Sequence, residues 1–477
     1  MSLERMSAMQ NSDDGRATAK AAVVNTIGNC ITMLTAVVMI PVTTRLLSTA
    51  DMGLTVNFQS IRNICLIIFT LASYLAVQRG MLDFKEDKKA YINSILCFNI
   101  AFISVIFLIF AAGSFLLGKS LSFLSVFMFI SIYCWMAYNT GYNYLMFHNR
   151  YILAFIIAML IGPLSQFLSI YLIMHLESEK YLGRIIGLDF FYCAVGVASI
   201  LAVSVSSRLQ WKKKYIRHAL KISLPLVPHL LAQYVLTSSD VLMITALVGP
   251  EQSGVYSMAY TISQLLWLLL TQIMSVWSPW VYRRMDEGKI EEVNHNSRTI
   301  MWMAVVLAMG LMMIAPEAVQ IFLAPAYKDG MYIIPVLVVG AFFQFMYIFF
   351  YDVEYFHKET KYIAFASISA AAVNFILNFI FIPYFGYIAA SVTTAVGYFV
   401  LLVIHYICMK KLDKRKIYDE KTIGTVCVLV AAYAAIMFAL IDFMLLRYVL
   451  TVLVMLIIIY KQRRHILQFM KVLRGNG

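Results

Sequence analysis

Apolar runs of about twenty residues recur along the chain, and no other feature limits its fold as strongly. An α-helix needs about twenty residues to cross the hydrocarbon core of a membrane, because each residue advances it by about 1.5 Å. We therefore predict an all-α integral membrane protein. The fourteen predicted helices are residues 21–44, 54–78, 91–117, 121–147, 151–175, 182–206, 222–247, 255–280, 299–323, 331–355, 362–382, 386–409, 422–440 and 445–460.

The composition leaves little room for any other domain. Of the 477 residues, 61% are hydrophobic and 13% are charged. The longest polar stretches, at residues 1–20, 207–221, 283–298 and 410–421, are much shorter than the ~50 residues of a small soluble domain. A soluble catalytic domain is therefore excluded.

Lysine and arginine are distributed unevenly between the two sides of the predicted bundle. With the N-terminus in the cytoplasm, 31 of the 38 basic residues fall in cytoplasmic segments and six in outer loops. Cytoplasmic loops of membrane proteins carry such an excess, so both termini are predicted to be cytoplasmic. The same distribution explains the net charge of +13 without a nucleic-acid partner. The remaining basic residue, Arg62, falls within a predicted helix.

No motif points to a cofactor, a metal or a catalytic site. The seven cysteines lie in apolar segments, without a CxxC pair or a histidine at zinc-ligand spacing. The segment GSFLLGKS, residues 113–120, matches the pattern of a phosphate-binding loop. That loop normally follows a β-strand and opens a helix in a soluble domain, whereas here it ends a membrane helix on the outer side. We interpret it as a chance match.

The chain also aligns with itself. At an offset of 201 residues, residues 45–61 lie over residues 246–262, and Gly53 is aligned with Gly254. Six helices separate the two copies, so both halves enter the membrane in the same direction and form a parallel repeat. This predicts an N-lobe of helices 1–6 and a C-lobe of helices 7–12. The predicted divisions are the N-lobe at 1–206, a basic cytoplasmic linker at 207–221, the C-lobe at 222–409, and helices 13 and 14 with a cytoplasmic tail at 410–477.

Three segments resemble a known family. They are NTIGNCITMLTAVVMIPVTTRLLSTADMG (residues 25–53), LPLVPHLLAQYVLTSSDVLMITALVGPEQSGVYSMAY (residues 224–260) and VNFILNFIFIPYFGYIAAS (residues 373–391). The chain resembles, over nearly its whole length, the Wzx-type polysaccharide flippases of the multidrug/oligosaccharidyl-lipid/polysaccharide (MOP) exporter superfamily. Relatives often carry Gly-x-x-Gly-Ala-Ala in the third segment, where this chain has Gly386, Ala389, Ala390 and Ser391. These residues are still small enough for close helix packing.

The resemblance implies a transporter and not an enzyme. Its cargo would be a polyprenyl-diphosphate-linked oligosaccharide, moved from the cytoplasmic to the outer leaflet of a bacterial cytoplasmic (inner) membrane. The product would serve O-antigen, capsule or exopolysaccharide synthesis, and the partners would be membrane lipids and other polysaccharide assembly proteins.

Two alternatives stay open. A small-molecule or drug exporter of the same superfamily usually exchanges a cation at an acidic residue in helix 1, and residues 23–44 contain none. A membrane polysaccharide polymerase is expected to carry a large outer loop with catalytic residues, whereas the outer loops of this chain are short.

A polar face on helix 2 and its repeat on helix 8 are the predicted substrate-binding surface. An oligosaccharide needs hydrogen bonds for its hydroxyls and aromatic rings for its C–H faces. Side-chain packing between helices, and hydroxyls bonded to their own helix, are the structural alternative. The predicted substrate-binding residues are Gln59, Arg62 and Asn63 on helix 2, and Tyr256, Tyr260 and Gln264 on helix 8.

Arg62 needs a compensating charge, because an arginine at a helix centre costs roughly 2.5 to 3.5 kcal/mol. Asp240 in helix 7 lies at a similar depth, so a gating pair between Arg62 and Asp240 is one hypothesis, with pyrophosphate competing for the guanidinium. Asp189 in helix 6 is the competing partner. His229, which follows two prolines in helix 7, is a candidate for proton coupling.

The cytoplasmic ends of helices 2 and 8 carry Arg79, Arg283 and Arg284, where an anionic headgroup would first be met. Ordinary positive-inside placement explains them equally well. Asp352, Glu354 and His357 end helix 10, either to carry protons or only to fix that end. Transport is expected to draw on the membrane potential, which contributes about 2.3 kcal/mol per charge per 100 mV, with H⁺ or Na⁺ antiport as a further source.

Overall fold

The computed structural model of the chain describes residues 35, 37–147, 150–206 and 210–473. All regular structure in these residues is helical. The predicted first helix, residues 21–44, lies largely outside the described residues, and its outer part belongs to α1 (Val37–Leu46). The other helices are α2 (Thr49–Thr70), α3 (Val77–Asp83), α4 (Lys88–Leu116), α5 (Phe123–Phe147), α6 (Tyr151–His175), α7 (Lys180–Ser206), α8 (Lys213–Ser223), α9 (Val227–Leu247), α10 (Pro250–Asp286), α11 (Ile290–Phe322), α12 (Ile334–Phe356), α13 (Thr360–Leu412), α14 (Glu420–Ala439) and α15 (Met444–Leu473).

Twelve helices of the described residues are long and apolar enough to cross a membrane. α13 contains two of the predicted spans, residues 362–382 and 386–409, because Gly386 (φ 58°) interrupts it with a kink. Glycine adopts a positive φ without the penalty that a Cβ imposes, and a Cβ here would overlap the side chain of Gln252. The predicted all-α membrane fold is confirmed.

Polar side chains fix where several helices begin. At the start of α2, the Asp51 amide donates to Ser48 Oγ (3.1 Å), and the Ser48 amide donates to Asp51 Oδ2 (3.2 Å). This reciprocal capping satisfies amides that have no partner within the helix. Asp419 caps α14 by accepting from the Thr422 amide at 3.2 Å.

The second predicted helix, residues 54–78, is not continuous. α2 ends at Thr70, and the next two residues, Leu71 (φ 48°) and Ala72 (φ 51°), are left-handed. A 3₁₀ turn over Ser73–Ala76 and the short α3 follow. Left-handed geometry costs roughly 1 to 2 kcal/mol per non-glycine residue, so the surroundings must hold it. Ala72 is fully buried, and Ser73 Oγ donates to Asn99 Oδ1 at 2.8 Å.

Contacts divide the chain into two compact units. The first comprises residues 1–47 and 55–231, and the second comprises residues 48–54 and 232–477. The core of the first unit is formed by α2 to α5, with the buried side chains Leu66, Met81, Ile92, Ile103 and Met136 among its members.

The second unit is built around α12. This helix packs against α10, α11, α13 and α14. Of its most apolar stretch of 18 residues, 78% is buried. Its aromatic side chains form the centre of the unit. Those with no exposed surface are Phe342, Phe345, Phe349 and Phe350.

Within the second unit, the start of α2 crosses the start of α10 at two glycines. A Cβ on Gly53 would overlap the carbonyl of Pro250, and a Cβ on Gly254 would overlap the carbonyl of Thr49. Each glycine and each carbonyl lies 201 residues from its counterpart, the offset at which the sequence aligns with itself. The two helices therefore meet through equivalent positions, and close backbone approach at small residues is how membrane helices gain packing contacts.

We expect Gly254→Ala to lower the melting temperature of the purified protein, because the added methyl forces the two backbones apart at a cost of about 1 to 3 kcal/mol. Gly424→Ala is the matched control, since a Cβ at Gly424 meets nothing within 4 Å. Equal melting temperatures for the two variants would show that the solution protein does not hold this contact.

Candidate functional site

Arg62 lies on α2 in the first unit, and its guanidinium is buried with 4% of the residue exposed. Its Nη1 donates to the carboxylate of Asp189 on α7, which is 2% exposed. Asp189 also accepts from Ser131 Oγ at 2.5 Å and from Trp135 Nε1 at 3.4 Å, both on α5. Within the first unit, Asp189, the competing partner, therefore binds Arg62. The gating pair of Arg62 with Asp240 remains a prediction.

The rest of the guanidinium is bound by weaker partners. Its Nε and Nη2 donate to Asn63 Oδ1 at 3.3 and 3.2 Å, and its carbon lies 4.5 Å from the ring centre of Trp135. A cation over an indole ring gains about 0.5 to 2 kcal/mol. Thus one edge of Arg62 faces a carboxylate, and the other faces a neutral amide oxygen.

Aromatic rings continue from this pair. Tyr192 of α7 stacks on Trp135 with ring centres 4.2 Å apart, and Tyr138 meets Tyr192 edge-on at 5.2 Å. Tyr142 stacks on Tyr138 at 6.0 Å. Tyr138 and Tyr142 line a cavity of about 480 Å³ among α4, α5, α6 and α7. Sequence reasoning missed these rings, although positions 135, 138 and 142 have the spacing of one helical face.

A second buried polar cluster surrounds Asp240 on α9 in the second unit. Asp240 is 1% exposed and accepts hydrogen bonds from Tyr256 OH (2.6 Å), Thr394 Oγ1 and Asn378 Nδ2. Asn378 Nδ2 also donates to Asn374 Oδ1 at 3.3 Å. All three donors to this carboxylate are neutral groups.

The residues predicted on helix 8, which is α10 in the structure, lie beside Asp240. Tyr256 and Tyr260 stack with ring centres 5.9 Å apart, and Gln264 Nε2 donates to Tyr260 OH at 2.6 Å. Tyr256 is 1% exposed and committed to Asp240. On α2, Gln59 is half-buried one turn before Arg62. A substrate role for these residues remains a prediction.

The predicted cytoplasmic arginines lie at helix ends. Arg79 Nε donates to Asp83 Oδ2 at 3.0 Å on the exposed surface of α3. Arg284 binds Glu287 (2.8 Å) and Glu292 (3.1 Å), and Arg283 is exposed. His229 lies half-buried in the first turn of α9.

The acidic and histidine residues predicted at the end of helix 10, which is α12 in the structure, do not form one cluster. Asp352 accepts from Ser278 Oγ and Tyr282 OH, both at 2.8 Å. Glu354 contacts His405 of α13. His357 Nε2 lies 3.1 Å from Asp413 Oδ2. Hydrogen bonding from the Arg415 guanidinium lowers the pKa of the Asp413 carboxyl to about 2.

A further buried guanidinium lies at the start of the last helix. Arg447, one of the six basic residues that the charge count places on the outer side, lies in the first turn of α15 with 1% exposure. It donates to Glu317 of α11 and to the carbonyl of Ile441 (2.5 Å). Arg62 is therefore not the only buried arginine among the described residues.

The fold defines a polytopic membrane protein with buried polar clusters among its helices. The chain matches the family described as polysaccharide biosynthesis protein over residues 18–285. This match covers more than half of the 477 residues, and the chain belongs to that family. No curated protein sequence matches the chain.

Solved structures show the same fold. The lipid II flippase MurJ in an inward closed conformation aligns with a TM-score of 0.68 and 16% identity, over 94% of this chain and 100% of that one. A multidrug resistance MATE family transporter of the MOP superfamily, in an inward-facing conformation, aligns with a TM-score of 0.57 and 14% identity, over 82% and 97%. A MOP superfamily transporter from Pyrococcus furiosus aligns with a TM-score of 0.52 and 14% identity, over 83% and 95%. The chain therefore has the MOP fold.

We expect Arg62→Gln and Asp189→Asn to destabilise the protein strongly, by about 3 to 5 kcal/mol each, because each leaves a buried charge without its partner. The double variant should lose less than the sum of the two. Thermal unfolding of the purified proteins measures the double-mutant cycle.

Arg79→Gln with Asp83→Asn provides the matched control, since that pair is exposed and worth about 0 to 1 kcal/mol. Additive losses for Arg62 and Asp189 would contradict the assigned pairing.

Proposed function

We propose that this protein moves a polyprenyl-diphosphate-linked oligosaccharide from the cytoplasmic to the outer leaflet of a bacterial cytoplasmic membrane, for O-antigen, capsule or exopolysaccharide synthesis. The observation that carries the proposal is a guanidinium held inside the membrane bundle beside a line of aromatic rings. Membership of the polysaccharide biosynthesis protein family and the fold shared with MurJ support the same substrate class.

Arg62 is the proposed pyrophosphate-binding residue. A guanidinium offers two parallel N–H donors that match phosphate oxygens. Its Nε and Nη2 edge is bound only by the neutral Asn63 oxygen, at 3.2 to 3.3 Å. A pyrophosphate displaces this neutral acceptor from that edge, while Nη1 keeps Asp189 and Ser131 continues to stabilise the carboxylate.

The aromatic rings are the proposed sugar-binding surface of the first unit. Trp135, Tyr192 and Tyr138 present ring faces and edges next to Arg62, and Tyr138 reaches the cavity of about 480 Å³. Tyrosine and tryptophan combine an apolar face with a polar edge, which suits a sugar ring. In the second unit, Tyr256, Tyr260 and Gln264 are proposed to contribute hydroxyl and amide groups.

Two sources of energy fit the proposal. Moving a negative charge outward, away from the negative cell interior, releases about 2.3 kcal/mol per charge per 100 mV. Asp240 is the proposed coupling residue, because it is a buried carboxylate whose donors are neutral. A buried charge without a counter-ion is costly, so binding of H⁺ or Na⁺ at Asp240 stabilises its buried state. His229 is a further candidate for coupling.

Deleting the protein from its host is expected to leave complete lipid-linked repeat units on the cytoplasmic face of the membrane. Labelling of sugars from each side, followed by extraction of the lipid-linked fraction, measures their orientation. Unpolymerised units that face outward would instead indicate a polymerase. Normal surface polysaccharide together with increased drug sensitivity would indicate a small-molecule exporter.

Within the transport step, Arg62→Ala should abolish flipping of the lipid-linked oligosaccharide, and Arg62→Lys should restore part of it, because a lysine keeps the charge but not the two parallel donors. Flipping in proteoliposomes is the measurement. Lys119→Ala, which removes an exposed outer charge, is the control. Full transport by a folded Arg62→Ala variant would remove the proposed role of this residue.

A further inference from the structure

The transport scheme leaves one buried titratable pair unexplained. Glu354 of α12 and His405 of α13 have no exposed surface. His405 Nδ1 lies 3.0 Å from each carboxylate oxygen of Glu354, and the other ring nitrogen, Nε2, is buried without a hydrogen-bond partner. One side of the imidazole is therefore fixed, and the other is open to a change of protonation.

The charge state of such a pair is restricted by its surroundings. A neutral imidazole with an ionised carboxylate gives the pair a net charge of −1, which is costly to bury. One added proton, on either partner, makes the pair neutral overall. The pair therefore holds this proton while it is shielded and releases it only when water reaches it.

The titratable groups next to the pair are Tyr347 and Tyr351 of α12 and Cys408 of α13. Tyr398 of α13 lies near Tyr347, and Tyr282 of α10 and Tyr418, before α14, lie near Asp352.

The charged groups of the neighbouring elements are already engaged. Asp352 accepts hydrogen bonds from Ser278 and Tyr282. The exposed Lys411 interacts electrostatically with Cys408. Two ion pairs lie at the start of α14: Arg298 of α11 pairs with Asp419, and Lys410 of α13 pairs with Glu420. The segment Pro325–Tyr332 packs at the opposite end of α12. Direct ionic contact with Glu354 comes from His405.

Phenol groups connect this pair to Asp240. Tyr347 stacks on the His405 ring with centres 5.1 Å apart. Tyr398 lies near both Tyr347 and Tyr260. Tyr260 stacks on Tyr256.

Asp240 and Glu354 are each in contact with a side chain of α13, Thr394 for Asp240 and His405 for Glu354. Tyr256 donates to Asp240 at 2.6 Å, and so does Thr394. Thr394 and His405 are eleven residues apart on α13, which places them on one helical face about 16 Å apart along the axis. Tyrosine side chains thus lie between Asp240 and Glu354 within the second unit.

We propose that Glu354 and His405 bind and release one proton, and that H⁺ is the ion coupled to transport. Glu354 lies in the last turn of α12, at the end that the positive-inside pattern assigns to the cytoplasm. The proton is taken up from the outer side during the cycle and released to water on the cytoplasmic side, so the H⁺ gradient contributes to the transport step. The binding of a proton stands by itself, whereas its coupling to cargo rests on the proposed function.

Infrared difference spectra of the purified full-length protein, recorded between about pH 5 and 8 where imidazole normally titrates, test the proton site. We expect the carboxyl and imidazole bands of the pair to change together at one midpoint. Glu354→Gln should lower the pH at which the histidine loses its proton, because a buried imidazolium then lacks its anion. His405→Gln should keep the carboxyl protonated to higher pH, because the carboxylate then lacks its cation.

Asp352→Asn removes a second buried carboxyl from α12 and is the matched control, which should leave the midpoint of the pair unchanged. Circular dichroism and melting temperature identify any variant that fails to fold, and the two single substitutions give opposite shifts that misfolding does not produce. Bands of Glu354 and His405 that stay constant over this range would overturn the proposal in favour of a fixed link between α12 and α13.

Coupling is tested in proteoliposomes with a fluorescent polyprenyl-diphosphate-linked disaccharide as probe. A pH gradient at clamped membrane potential should increase flipping by the wild type. Glu354→Gln should lose that increase while keeping the potential-driven part. Flipping that responds to potential but not to pH in the wild type would end the coupling to H⁺ and leave the flippase assignment intact. Titration of the pair without any flipping would end the flippase assignment and leave the proton site.

Discussion

The hydrocarbon interior of a membrane offers no hydrogen-bond partner, so each polar or charged group inside this bundle must find its partner within the protein. The buried Arg62 is bound by Asp189 and Asn63, and the buried Arg447 by Glu317 and a backbone carbonyl. Arg184 near the start of α7 donates to Gln166 and Ser169 at 2.8 and 2.7 Å. These bonds hold α2, α7, α11 and α15 in place.

The buried carboxylates follow the same constraint in two different ways. Asp189 has a guanidinium, whereas Asp240 relies on hydroxyl and amide donors. Neutral donors stabilise a carboxylate less than a cation does. The same unit that holds Asp240 also holds the Glu354 and His405 pair, so the proposed binding of an additional ion concerns the second unit.

Hydropathy predicts the membrane helices well, because helix length is a direct consequence of bilayer thickness. The pairing of Arg62 was not decided by the same reasoning, since the depth of a residue does not say which neighbour its helix face meets. The break at Leu71 and Ala72 was also missed, because neither residue type favours left-handed geometry. The aromatic line through Trp135 and Tyr192 joins two helices and is visible only after they pack.

The pairing of Arg62 with Asp189 also determines which half of the proposed cycle is sensitive to voltage. When no cargo is bound, the guanidinium and the carboxylate cancel, so this pair carries no net charge as the protein resets. When a pyrophosphate replaces Asn63 at the Nε and Nη2 edge of Arg62, as proposed, this site becomes net negative, and the membrane potential then acts on its charge. The membrane potential therefore favours the loaded, outward step without opposing the empty return, which gives the transport a direction through electrostatics.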